Sequence, residues 1–280
     1  MITLDRLSRA FSAPGGAGAA YLALDEISCT IPAGTFCAIV GPSGCGKSTL
    51  LNLVAGLIAP SSGSVRIADA ELTGVNRRAT YMFQQDALLP WKDVRDNVAL
   101  GLTLAGVRRA DAHARAEAWL ARVGLSAFAG HFPSQLSGGM RKRVAMAQNW
   151  IIDRDILLMD EPFSALDIHA RQRMESELLA LWEPSGADRH APAASGSSRT
   201  GRKTIVFVTH DLEEALALAD RVIVLSAGPA SRVVADHAVT LDRPRDLLEL
   251  QTQPAFVELY RAVWADLRSE VIKSQREGLA

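Results

Sequence analysis

With 280 residues, 48% of them hydrophobic, the chain can bury a full core without disulfides or structural metal, as one large α/β domain with a smaller subdomain. A formal net charge of −1 removes any global electrostatic pull toward nucleic acid, and the three cysteines, Cys29, Cys37 and Cys45, cannot all pair and read as small buried hydrophobes of a reducing compartment. No basic start followed by an apolar run marks a signal peptide, and no apolar stretch has bilayer length; a soluble chain is expected, with any membrane role exercised through a partner.

Ile2–Leu7 alternates apolar and polar residues and is expected to form an edge strand. Phe11 and a flexible turn at Pro14–Gly18 follow, then a strand over Ala23–Ile31 and a tight turn at Pro32-Ala33-Gly34. Thr35–Val40 is a short apolar run rich in β-formers, and Leu50–Ala55 a good helix former. Between them lies Gly41-Pro42-Ser43-Gly44-Cys45-Gly46-Lys47-Ser48-Thr49, a full match to G-x-x-x-x-G-K-[ST]. Strand, glycine loop and helix together turn backbone N–H groups and a helix N-terminus onto a phosphate chain. Gly41, Gly44 and Gly46 let the backbone approach, Lys47 reaches the β- and γ-phosphates, and Ser48 places its hydroxyl on Mg²⁺. Cys45 is the cysteine within reach of modification when nucleotide is absent. Phe11 and Tyr21 are equal candidates to stack on an adenine ring, or to pack an ordinary sheet edge.

Ser61–Ser64 reads as a turn, Val65–Ile67 and Thr80–Phe83 as strands, the latter ending at Gln84-Gln85. From Val94 the period changes. Val94, Val98, Leu102, Ala114, Ala118, Leu120 and Val123 recur at helical spacing, predicting an inserted helical subdomain to about Asp153. Within it, Ser137 is a candidate N-cap for a helix through Met140, Val144, Met146 and Trp150. With Gly138 and Gly139 it leaves first-turn N–H groups open as a second anion site.

Ile156–Met159 predicts a buried parallel strand ending in Asp160 and Glu161. Ligands of open α/β sheets bind beyond the carboxyl ends of strands, so Asp160 is placed to hold Mg²⁺ through water and Glu161 to take a proton from attacking water. Ser164–Asp167 leads into a helix with Met174, Leu178 and Leu181 on one face. Glu183–Lys203 is poor in bulky apolar residues and predicts a mobile loop. Thr204–Val208 is again β-like and ends at His210, a third strand end assigned to the same site. Strands at Val222–Leu225 and Arg232–Ala235 precede a C-terminal helix. Its stripe of Phe256, Leu259, Tyr260, Val263, Trp264, Leu267 and Val271 is expected to dock on the chain's own core.

Taken in order, these motifs resemble those of the nucleotide-binding subunits of ATP-binding cassette (ABC) transporters, over nearly the whole length. Gly41–Thr49 is similar to the family's Walker A loop, Gln84 to its Q-loop, Leu136–Met140 to its signature, Ile156–Glu161 to Walker B with the catalytic glutamate, Ser164–Asp167 to the D-loop and His210 to the switch histidine. The resemblance implies a P-loop NTPase cassette with a mostly parallel core sheet, an antiparallel β-subdomain and an inserted helical subdomain. Residues 1–92 and 154–242 would form the nucleotide-binding core, interrupted by an insertion at 183–203, with 93–153 the helical signature subdomain and 243–280 a C-terminal tail. Phe11 becomes the adenine-stacking aromatic. Two cassettes would face head to tail in an ATP-dependent dimer, expected to be a homodimer, with Ser137, Gly138 and Gly139 on the γ-phosphate held by the other copy's Lys47. Glu161 would polarise water, His210 stabilise the γ-phosphate, and Gln84 sense it and the Mg²⁺.

A finer likeness, carried by Phe83–Trp91 and Arg243–Asp246, is to importers of nitrate, sulfonate and taurine, and through them to importers of vitamin precursors. It implies an integral-membrane permease as partner, a solute-binding protein acting indirectly, and a peripheral position on the cytoplasmic face of the inner membrane. Leu88, Leu89 and Trp91 are then either permease contacts or packing within the helical subdomain. Two departures stand out: Gln148-Asn149-Trp150 where the family usually has Arg-Ala-Leu, and the length of 183–203. The rivals are a cassette of DNA or ribosome work, which lacks support in the charge, and a P-loop kinase, which would leave Leu136–Met140 and His210 unexplained.

Overall fold

Runs of β-branched and aromatic residues without polar interruption need cover on both faces, and in this chain they receive it. A computed structural model describes residues 1–12, 20–85, 87–164, 166–183 and 202–277. The turn expected at Pro14–Gly18 and nearly all of the loop expected at 183–203 lie outside the described residues. In chain order the strands are β1 (Ile2–Phe11), β2 (Tyr21–Ile31), β3 (Phe36–Val40), β4 (Ser62–Ile67), β5 (Ala70–Glu71), β6 (Ala79–Met82), β7 (Ile156–Asp160), β8 (Thr204–Val208), β9 (Arg221–Leu225) and β10 (Val233–Ala238). The helices are α1 (Lys47–Val54), α2 (Val94–Leu104), α3 (Arg109–Arg122), α4 (Gly138–Trp150), α5 (Ile168–Trp182), α6 (Leu212–Leu218), α7 (Leu247–Leu250) and α8 (Pro254–Glu277).

An antiparallel sheet has the order β2-β1-β4-β5, and a larger sheet the order β10-β9-β3-β8-β7-β6. Pairing in the larger sheet is parallel from β9 to β6, with β10 antiparallel at one side. β1 is not the expected edge strand: it bonds β2 on one side and β4 on the other. Alternation reports one buried face, here Ile2, Leu4 and Leu7, and carries no information on how many neighbours a strand has. Ser62–Ser64, expected as turn, extends β4 along β1.

The parallel strands split their side chains between two cores. Phe36, Ala38, Val40, Leu157, Met159, Ile205 and Phe207 face α5, α6 and α8. Cys37, Ile39, Ile156, Leu158, Val206 and Val208 face α1 and, beyond it, Ile2, Leu24, Ile27 and Val65 of the antiparallel sheet. α1 is thereby clamped between the sheets, and the loop before it is held on both sides. Phe36 makes edge-on contacts with Trp182 and Phe207, at 5.3 and 5.4 Å between ring centres.

α2, α3 and α4 enclose a third cluster of their own, with Val94, Val98, Leu102, Leu120 and Val144. On α3 the buried alanines are Ala112 and Ala116, whereas Ala114 and Ala118 are exposed. Both registers consist of alanines, so periodicity could not choose the face; Leu120 fixes it. The C-terminal helix docks on the chain's own core through Phe256, Val263 and Leu267, with Leu259, Tyr260 and Val271 alongside. Trp264 falls off that stripe and is 41% exposed.

Candidate active site

The glycine loop leaves β3 and enters α1 at Gly46, whose φ of +87° lies in the left-handed region. A Cβ there would stand 2.8 Å from Leu24 Cδ2, so both conformation and space select glycine. No side chain caps α1, and its first-turn N–H groups face the loop as an anion site. Lys47 is buried, its Nζ donating to the carbonyls of Gly41 and Pro42 at 2.9 Å each. Ser43 and Gly44 are exposed and Thr49 is half-buried. Cys45 is not within reach of a reagent, contrary to expectation. It is fully buried beside Gly41, where a Cβ would come within 2.6 Å of its Sγ, and burial pushes its thiol pKa up.

β3, β8, β7 and β6 are consecutive and parallel, so the loop, His210, Asp160-Glu161 and Gln84 all emerge at one edge of the sheet. Ser48 Oγ donates to Asp160 Oδ1 at 2.9 Å, and Tyr81 Oη donates to Oδ2 at 3.3 Å. Burial holds the Asp160 pKa above its ordinary value, against the opposing pull of the Ser48 and Tyr81 hydrogen bonds. A half-buried carboxylate sharing a hydroxyl with the phosphate loop is an all-oxygen donor set of the kind Mg²⁺ prefers. These residues fit that ion.

Glu161 follows with φ +44°, a strained conformation for a residue with a side chain. Its N–H donates to Val208 O at 3.0 Å, and its carbonyl accepts from Ser164 Oγ at 3.1 Å. That turn aims the carboxylate between two partners. Gln84 Nε2 donates to Oε2 at 3.2 Å, and His210 Nδ1 lies 3.4 Å from Oε1. The Gln84 side chain thus meets Glu161, while its carbonyl accepts from Lys142 Nζ of α4 at 2.5 Å.

Ser137 caps α4, accepting from Met140 N at 3.3 Å. Ser137 and Gly138 are exposed, and Gly139 stands beside Leu166 and Ala170 at the start of α5. Phe11 ends β1 opposite Tyr21, 36% exposed, with the Arg9 guanidinium 4.7 Å over its ring centre. Leu88 packs on the helical cluster and Leu89 is tied by both backbone groups to the Asn97 side chain, whereas Trp91 is 72% exposed. Asn149 is buried and bonds Ala145 O, and Trp150 enters the main core.

Two groups near these residues escaped the sequence reading. Tyr81 reaches Asp160 because β6 lies next to β7, a neighbour relation that no local pattern encodes. Glu214, in the first turn of the short helix α6, accepts from the hydroxyl of Thr209, the residue before His210, at 2.5 Å; no motif marks it.

Fold and site together define a P-loop ATPase with a helical insertion. Residues 24–164 match the family model described as ABC transporter. The chain belongs to the ABC transporter family and is its ATP-binding, ATP-hydrolysing cassette. It is 41% identical over 273 residues to the taurine import ATP-binding protein TauB of Rhizobium johnstonii, covering 96% of this chain and 97% of that one. It is 37% identical over 273 residues to the nitrate import ATP-binding protein NrtC of Synechococcus elongatus, covering 97% of this chain and 38% of that one. Among solved structures, it is similar to the ATP-binding cassette MJ0796 in a dimeric post-hydrolysis state with ADP and Pi. There the TM-score is 0.70 and the identity 29%, covering 86% of this chain and all of that one. Among the described residues no helix is long and apolar enough to cross a membrane.

Proposed function

We propose that this cassette energises an importer of a small anion of the taurine or nitrate type, working as an ATP-dependent pair docked on a membrane permease. The observation that carries the chemistry is the Gln84–Glu161–His210 cluster at the strand ends beside the phosphate loop. In this reading Lys47 and the α1 N-terminus hold the β- and γ-phosphates, and Phe11 stacks on adenine. Glu161 orients the attacking water and takes its proton, and His210 steadies the γ-phosphate. Ser48 and Asp160, the latter through water, with Gln84 beside them, are the residues that would hold Mg²⁺, which supplies charge neutralisation on the phosphates. The exposed Ser137-Gly138-Gly139 turn at the α4 N-terminus would complete the site of a second copy, joining two subunits through ATP. The dimeric state of MJ0796 and the names of the import relatives support this reading.

Residues 1–92 and 154–242 form the nucleotide-binding core in this account, 93–153 the helical signature part and 243–280 the tail. The separate cluster of α2, α3 and α4 supports that division. A solute-binding protein would act indirectly, and the subunit would sit on the cytoplasmic face of the membrane. Reconstitution with the permease and binding protein of such an importer tests the whole. Taurine or nitrate should raise ATP turnover, and a complex that ignores every small anion tried would overturn the substrate class.

A further inference from the structure

The residues on either side of His210 are held by hydrogen bonds that begin on a buried carboxyl group. Thr209 Oγ1 accepts from Asp211 N–H at 3.0 Å, so its own proton goes to Glu214 Oε2 at 2.5 Å. Thr209 is 2% exposed and Glu214 6%, and among the described residues none donates to Glu214 Oε1. The two residues flanking His210 are therefore both fastened, one directly and one through a neighbour, to Glu214. Asp211 is fixed a second time. Its Oδ1 caps α6 by accepting from the N–H groups of Glu213 and Glu214, and its Oδ2 accepts from Arg171 Nη1 of α5 at 2.8 Å.

We propose that Glu214 is a positioning residue for ATP hydrolysis: through the Thr209 hydroxyl it sets the backbone on either side of His210, and so the placing of that imidazole against Glu161 and the γ-phosphate. The inference rests on the reading of His210 given above. The groups facing Glu214 are Glu175 and Arg171 of α5 and Asp211 at its own helix start, and Glu213 also acts on Glu175. Burial, opposed by the Thr209 hydrogen bond and reinforced by Glu175, pushes Glu214 up to about 8, and burial pushes Glu175 up to about 7. An ionised Glu214 binds the Thr209 hydroxyl more strongly than a neutral one. Turnover should therefore rise with pH as Glu214 releases its proton.

The test is ATP turnover of the full chain as a function of pH, with nucleotide affinity measured in parallel. Glu214→Gln keeps an acceptor but cannot ionise. It should lower kcat several-fold at pH 9 and little at pH 7, leave KM for ATP unchanged, and abolish the rise of kcat between about pH 7 and 9. Thr209→Val, which breaks the chain without touching the carboxyl, should lower kcat by about tenfold, and Thr209→Ser should restore it. In a His210→Ala background, Glu214→Gln should change nothing further. An unchanged kcat and pH profile in Glu214→Gln, or equal losses with and without His210, would overturn the proposal. A His210→Ala variant at parental rate would instead remove the role given to His210 itself.

Discussion

Glu161 and His210 meet across the ends of two neighbouring strands, Oε1 to Nδ1 at 3.4 Å, while the Glu161 N–H donates to the carbonyl of Val208, two residues before the histidine. The relationship is doubly fixed, by side chains and by the sheet. It also explains the positive φ of Glu161, since the backbone must turn sharply to keep the Val208 bond and still face the histidine.

Glu161→Gln should therefore retain ATP binding and keep the backbone turn, yet lose about 10²–10⁴-fold in turnover. Trapped nucleotide should hold two copies together. Phosphate release and light scattering in the presence of ATP check both halves, and a monomer turning over at the parental rate contradicts them.

Asp160→Asn removes the charge that Ser48 and Tyr81 now bracket. ATP affinity with Mg²⁺ should fall to the level that both proteins show in chelator. Tyr81→Phe takes away one hydrogen bond, worth about 1 kcal/mol, and should raise the Mg²⁺ concentration needed for half-maximal turnover several-fold. Titration of Mg²⁺ against turnover measures each.

Gly46→Ala meets Leu24 and a left-handed φ at once. A destabilisation of about 1–2 kcal/mol is expected from the backbone alone, with nucleotide affinity lost because the loop must open to relieve it. Thermal melts with and without ATP separate the two effects.

Glu175 is buried and its pKa lifted from 4.5 to about 7. Below pH 4.5 folded and unfolded chains both carry the proton, and the group costs nothing. Between there and about pH 7 only the unfolded chain releases it, so stability falls by about 1.4 kcal/mol per pH unit and then levels off. Glu175→Gln should flatten this slope and raise Tm at pH 8 while leaving Tm at pH 4 nearly unchanged.

Trp91→Ala should leave turnover of the purified subunit unchanged. Loss of so exposed an aromatic should weaken permease association by about 2 kcal/mol, a factor of about 30 in affinity. Solute-stimulated turnover and pull-down with the permease read the effect.

What the chain disclosed in advance was local chemistry. Lys47, Ser48 and the glycines around them announce a phosphate loop because spacing alone makes the cradle, and Ser137 announces a helix start because a cap needs only its own first turn. Asp160 and Glu161 could be placed because the apolar run Ile156–Met159 marks a buried strand, and sites of open α/β sheets lie at the carboxyl ends of such strands. Relations across the sheet stayed hidden. Nothing in Ile2–Leu7 says that a strand has two neighbours, and nothing in Tyr81 says that Asp160 lies beside it. The fate of Cys45 and Glu214 was equally unreadable, because Cys45 is covered by a core drawn from both sheets and Glu214 faces Arg171 and Glu175 of α5.

The order of the large sheet has a consequence for how the protein is made. β3 finds its partners only in β8 and β9, which the ribosome delivers more than a hundred and fifty residues later by the numbering. A nascent chain halted before Thr204 carries its phosphate loop on a strand with both edges bare, open to chaperones and to pairing with the wrong chain. The phosphate loop is expected to become competent for ATP only once β8 and β9 have paired with β3.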